Sequence, residues 1–180
     1  FIAMAKILDA ENVPVKCILI GPETPELMAL RPFPQNMAAA GYAADPREAL
    51  EQADIVVNLS SFAESFGRTV LEGMAAGRPV VCYDRGMPRR LVENGVSGFV
   101  VPVDRPKGAA EAIAKLAADR DLLQRFSEAA RINARQWQER ASMPKAAAPF
   151  PDHPDAYATT CSDHDNDLYA MLSQNFRPIE

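Results

Sequence analysis

Cysteine is scarce. Three occur in 180 residues, at positions 17, 82 and 161. An odd count without framework spacing excludes a disulfide scaffold of the secreted kind and fits a reducing cytoplasm. Cys17 and Cys82 fall inside apolar runs and read as small buried hydrophobes, while Cys161 stands in a polar stretch. Excess positive charge is also missing. The formal net charge is −5, which removes the global basic footprint expected of a nucleic-acid binder. No apolar run is long enough to cross a bilayer, so membrane contact would be peripheral and lie in parts outside this sequence. No signal-peptide pattern opens the chain. It begins with Phe1 rather than Met and reads as a segment of a longer or processed protein.

What is present is an ordinary globular composition and enough length for one domain with a real core. The stretch over residues 55–77 organises the rest. Ile55, Val56 and Val57, bounded by Asp54 and Asn58, predict a short buried strand. A polar turn over residues 60–67 follows. A helical pattern then carries Val70, Leu71, Met74 and Ala75 on one face and stops at Gly77. Strand, glycine turn and helix make a setting in which backbone N–H groups can hold an anion near Gly67, Arg68 and Thr69. Glu64 lies before the helix and Glu72 inside it, and neither is needed for packing. Standing alone, Glu72 is a helix-surface charge favoured by the dipole.

Around this stretch the chain alternates. Residues 1–10 predict a helix without an N-cap. Residues 15–20 predict a strand, 25–30 a short helix, 36–42 a weaker strand, and 46–52 a helix opened by Asp45 and Pro46. After the organising stretch come strands at 79–83 and 98–101, a short helix at 88–94, and two amphipathic helices at 104–118 and 119–137. The pattern predicts an α/β domain, Rossmann-like, with a mainly parallel sheet and flanking helices. We divide the chain into a domain over 1–137 and a Pro- and Asp-rich extension over 138–180. Within the extension, residues 167–174 could form a short docked helix. Asp163, Asp165 and Asp167 begin like a calcium loop, but Leu168 stands where that loop needs Gly and Gln174 where it needs Glu. No metal site is expected there.

Four segments in order carry a resemblance: Ala53-Asp54-Ile55-Val56-Val57, Ser61-Phe62-Ala63-Glu64-Ser65-Phe66-Gly67, Leu71-Glu72-Gly73-Met74-Ala75-Ala76-Gly77-Arg78-Pro79-Val80-Val81, and Asn94-Gly95-Val96-Ser97-Gly98-Phe99-Val100-Val101-Pro102. With Glu64 and Glu72 separated by seven residues, residues 1–137 resemble the C-terminal, donor-binding domain of retaining GT-B glycosyltransferases, the group 1, family 4-like enzymes with a Glu-x7-Glu signature.

The resemblance implies a nucleotide-diphosphate-sugar donor, transfer with retention to an unknown acceptor, and an acceptor-binding N-terminal domain or chain as partner. It implies that Glu64 contacts the transferred sugar and is the catalytic carboxylate. Ser65, Phe66 and Gly67 would face sugar and phosphate, Thr69 and Val70 would lie near the diphosphate, and Glu72 would bind the ribose hydroxyls. Tyr42 falls in a loop beside the base. No cofactor or metal is implied. A carboxylate accepting from a vicinal diol makes strong, charge-assisted hydrogen bonds.

Two departures qualify this. The family's first strand of this domain, which carries an Arg and a Lys for the diphosphate, has no counterpart here. In the order 3-2-1-4-5-6 it would sit at the sheet centre. The isolated chain is therefore expected to be inactive, marginally stable, and prone to self-association through open strand edges. Arg89 and Arg90 stand where the family usually has Glu. We read them as a solvated face, with partial charge compensation as the alternative. The competing functional class is a non-catalytic nucleotide-binding or interaction module left by truncation, and the third is a structural remnant.

Overall fold

The computed structural model describes residues 1–43 and 45–142. Five strands form among them: β1 (Cys17–Leu19), β2 (Met37–Ala39), β3 (Val56–Asn58), β4 (Val80–Tyr83) and β5 (Gly98–Val101). All pairings are parallel. β1 pairs with β2, and β4 lies between β3 and β5. Seven helices flank them: α1 (Ile2–Ala10), α2 (Pro25–Met28), α3 (Pro46–Glu51), α4 (Arg68–Ala75), α5 (Pro88–Leu91), α6 (Pro106–Ala118) and α7 (Arg120–Ser142). Strands alternating with helices, all in parallel register, give the Rossmann-like α/β arrangement predicted from the sequence.

β4 explains the layering. All four of its residues are buried, and its side chains alternate between two faces. Val81 and Tyr83 join a core with Met4, Ala5 and Leu8 of α1 and Ala109, Ile113 and Leu116 of α6. Val80 and Cys82 join a second core with Val70, Leu71 and Met74 of α4, Leu91 of α5, and Ala130 and Ala134 of α7. Glycine is required at one contact. A Cβ on Gly98 would lie 2.0 Å from the carbonyl oxygen of Val80, so no larger residue lets β5 approach β4 this closely.

The strands fall into two pieces. Among the described residues β1 and β3 share no ladder. An order of 3-2-1-4-5-6 with strand one left out reduces to a two-stranded and a three-stranded piece, the grouping observed here. Side chains still bridge the break, since Cys17 of β1 and Val57 of β3 belong to the same apolar cluster.

Several boundaries differ from the sequence expectation. β1 keeps three residues of the apolar run at 15–20, and α5 stops at Leu91 rather than 94. Beyond α5 the side chains of Ser97 and Asn94 take over the turn, accepting from Glu93 N at 3.0 Å and Val100 N at 2.9 Å. α6 starts at Pro106 because Asp104 adopts a left-handed φ of 57°. α7 is capped by Asp119, whose Oδ1 accepts from Leu122 N at 2.9 Å. It runs to Ser142, five residues past the expected end at 137. Glutamine, glutamate, arginine and alanine all favour a helix there, and the Arg140 guanidinium lies 5.5 Å from the Trp137 ring. The readings for residues 143–180, a short helix and a rejected calcium loop, lie outside the described residues.

Asn133 falls on the apolar face of α7, and the structure supplies its partners. Its Nδ2 donates to Leu91 O at 2.7 Å and to Ser97 Oγ at 3.0 Å. Ser97 is fully buried. The pair is a satisfied polar staple between α7 and the turn after α5.

Candidate active site

The candidate site is assembled where β3 gives way to α4. The strand ends at Asn58, in register with Cys82 of β4. The chain then turns through residues 59–67 and enters α4 at Gly67, which holds the N-cap with a left-handed φ of 60°. A Cβ there would meet Leu91 Cδ1 at 2.8 Å, and at this φ a larger residue is strained. No side chain caps α4, and its first turn has no acidic residue. The N–H groups of Val70 and Leu71 turn back to Gly67 O at 3.0 and 3.1 Å. Those of Arg68 and Thr69 are not spent within the helix. The entrance thus offers donors and a positive dipole end to an anion.

Glu64 sits in this turn with its backbone clamped. Met87 N donates to Glu64 O at 2.8 Å. Gly86, at a φ of 61°, packs so tightly on the turn that a Cβ would lie 2.6 Å from Glu64 N. Arg85 Nη1 donates to the carbonyl of Ser61. The half-buried Glu64 side chain is held from the strand: Asn58 Nδ2 lies 3.1 Å from Oε1 and 3.3 Å from Oε2.

Glu72, one turn and a half inside α4, is engaged by its own helix. Arg68 Nε lies 2.7 Å from Glu72 Oε1. This contact pushes the Arg68 guanidinium up from its ordinary value, through the hydrogen bond first and the charge second.

The structure brings Glu64, Ser65, Phe66, Gly67, Thr69 and Glu72 together around one helix entrance. Ser65 and Thr69 are exposed, Phe66 is half-buried, and Gly67 is buried. Val70 belongs to the same turn, but its side chain is fully buried in the core beneath α4. Tyr42 follows β2, in the other sheet piece, and is 78% exposed.

Arg89 is exposed and pairs with Asp84 at 3.0 Å, and Arg90 is exposed, as a solvated face would be. Cys17 and Cys82 are buried and free, as their apolar surroundings predict. Burial pushes the Cys82 thiol from 9.0 up to about 12, with smaller contributions from the charges of Asp84 and Glu64. Among the described residues no three His, Cys, Asp or Glu side chains form a group that could hold a metal, and no helix is long and apolar enough to cross a membrane.

Sequence reasoning missed Asn58, Arg85 and the Arg68–Glu72 pair. Asn58 carries a signal in retrospect: a polar amide ends an apolar strand, six residues before a carboxylate.

Comparisons with known proteins agree on one family. A family model for glycosyl transferases group 1 matches residues 1–133. D-inositol 3-phosphate glycosyltransferase of Streptomyces griseus is 34% identical over 111 residues, covering 61% of this chain and 22% of that protein. The crystal structure of TarM, from S. aureus, superposes with a TM-score of 0.69 at 25% identity, covering 75% of this chain and 28% of that one. HepE of Anabaena, solved in complex with UDP and glucose, gives 0.64 at 26% identity, covering 74% of this chain and 39% of its own. The chain spans 28%, 22% and 20% of the length of three curated relatives. The matched portion has the parallel, Rossmann-like fold of the donor domain in these enzymes, and the chain belongs to the glycosyl transferases group 1 family.

Proposed function

We propose that this chain is the donor-binding part of a glycosyltransferase that moves a sugar from a nucleotide-diphosphate sugar, with retention, to an acceptor held by another part of the protein. One observation carries the reading. A clamped, half-buried carboxylate, Glu64, faces the same turn as an uncapped helix N-terminus. A diphosphate suits the uncapped amides, and a sugar hydroxyl suits the carboxylate. HepE, which shares the fold, was solved with UDP and glucose. In this reading Glu64 contacts the transferred sugar. Ser65, Phe66, Gly67 and Thr69 surround the sugar and diphosphate, with Val70 supporting them from the core. Glu72 binds the ribose hydroxyls, and Tyr42 lies toward the base. No metal takes part: the developing charge on the leaving diphosphate is met by the helix entrance.

We place residues 1–137 in the donor domain and residues 138–180 in an extension. The reducing cytoplasm is the compartment that suits two free, buried thiols. The unpaired edges of β1 and β3 favour self-association of the isolated chain. A monomer with a cooperative, high-temperature melt in sedimentation and calorimetry would count against that.

The test is calorimetric titration of the full-length protein with a panel of nucleoside diphosphates and nucleotide sugars, followed by a transfer assay with the one that binds. Selective binding plus transfer supports the enzyme reading. Binding without turnover in the full-length protein leaves a nucleotide-binding module, and absence of binding removes both.

A further inference from the structure

The Glu64 carboxylate is held by a single side chain among the described residues, and that side chain has no assigned role. Asn58 closes β3, hydrogen-bonded in register beside the fully buried strand β4. Its carboxamide has only one orientation that satisfies both of its neighbours. Ser60 N is a donor and lies 3.3 Å from Oδ1, so the amide oxygen faces Ser60. Nδ2 then faces Glu64, 3.1 and 3.3 Å from its two oxygens. Turning the amide over would set a donor against a donor and an acceptor against a carboxylate. The ionised carboxylate accepts hydrogen bonds at about four lone-pair sites, so one NH2 group leaves others open for hydroxyls.

We propose that Asn58 is a positioning residue for the transfer reaction: anchored on β3, it aims the Glu64 carboxylate at the transferred sugar. The inference rests on the reading of Glu64 given above. The main chain of Glu64 is fixed independently, by Met87 N and by the close approach of Gly86. Removing the Asn58 amide therefore frees the side chain while these two contacts still hold the loop; Asn58→Ala also gives up the acceptor for Ser60 N, which Asn58→Asp keeps. The effect belongs to turnover and not to diphosphate binding, because the α4 entrance is untouched.

The experiment uses the full-length protein and whichever nucleotide sugar the calorimetric panel selects. Asn58→Ala removes the donor, and Asn58→Asp keeps the shape but presents an acceptor to Glu64. Both variants are expected to lose roughly ten- to hundredfold in single-turnover rate, with affinity for the bare nucleoside diphosphate within about twofold. The Asn58→Asp loss should shrink as pH falls from about 8 to about 5, because a protonated Asp can again donate to Glu64. Combining Asn58→Ala with Glu64→Gln should be no slower than Glu64→Gln alone, since Asn58 acts only through that carboxylate.

Wild-type turnover in Asn58→Asp, a pH-independent loss, an additive double variant, or a parallel fall in diphosphate affinity would each overturn the proposal. Should one variant fail to fold, the other still decides by the same rates. Unchanged turnover in Glu64→Gln, or no nucleotide sugar bound at all, would remove the site reading itself and this inference with it. Turnover lost in Glu64→Gln but kept in both Asn58 variants removes this inference alone.

Discussion

Arg68 Nε and Glu72 Oε1 lie 2.7 Å apart across one turn of α4. The pair is built against the helix dipole, with the cation at the N-terminal end and in the less favourable of the two i,i+4 orders. The Arg68 side chain is 64% exposed and that of Glu72 27%, so the pair adds at most about 1 kcal/mol of stability. Its consequence is chemical. It ties one oxygen of the Glu72 carboxylate to the helix surface and leaves lone pairs for further donors.

Glu72→Gln in the full-length protein keeps the shape and removes the charge. Nucleoside diphosphate binding is expected to weaken by about 1.5–3 kcal/mol, the worth of a hydrogen bond to a charged group. Calorimetry measures it. Unchanged affinity with an intact fold would return Glu72 to the status of a surface charge.

Glu64→Gln is expected to do the opposite. Affinity for the bare diphosphate stays near wild type, while single-turnover transfer slows, because only interactions that tighten in the transition state speed the chemical step. Loss of diphosphate binding with the rate at saturation spared would reverse the roles assigned to the two glutamates.

The order of elements was legible in the sequence because local signals agreed. The cap at Asp45 exists, with its Oδ1 accepting from Arg47 N at 2.9 Å, and so does the apolar strand ending at Asn58. The turn that holds the candidate site was legible too, because Gly67 and the two glutamates stand close together in the chain. Hydrogen bonds that cross a loop were not legible. Asn58 to Glu64 and Arg85 to Ser61 depend on the path of the backbone between them, and periodicity reports only which face is buried. Asn133 donates to the carbonyl of Leu91, 42 residues away, a partner that no local spacing reveals. The exposure of Tyr42 depends on how the two sheet pieces meet, which no local pattern encodes.

Gly86→Ala tests the clamp on the Glu64 loop. The added Cβ would lie 2.6 Å from Glu64 N and 2.8 Å from Glu64 O, at a φ of 61°. Denaturant unfolding should register a loss of about 1–3 kcal/mol from the strained backbone alone, and transfer should fall with it. Wild-type stability would mean that the loop shifts freely and is not clamped.

Cys82 sets a dependence on alkaline pH. Its folded-state value is raised from 9.0 to about 12 by burial. The unfolded chain therefore releases this proton first. The stability contributed is complete below pH 9 and is lost as pH rises toward 12, by up to about 1.4 kcal/mol per unit. Unfolding curves measured across that range should fall less steeply for Cys82→Ala than for wild type. In the native protein at neutral pH, alkylation read by mass spectrometry should spare Cys82, because the thiolate is the nucleophile. Equal slopes or prompt native labelling would contradict the assignment.

The break between β1 and β3 also has a mechanical meaning. Each sheet piece is tied internally by directional bonds that resist shear until they snap. Across the break no ladder runs, and Cys17 and Val57 belong to one apolar cluster with residues of α1 and α6, whose attraction has no preferred direction. A force that pulls residue 17 away from residue 57 therefore meets packed side chains rather than a ladder. Parting the two pieces disturbs side-chain packing before it breaks either ladder, which makes this seam the place where the domain should yield first.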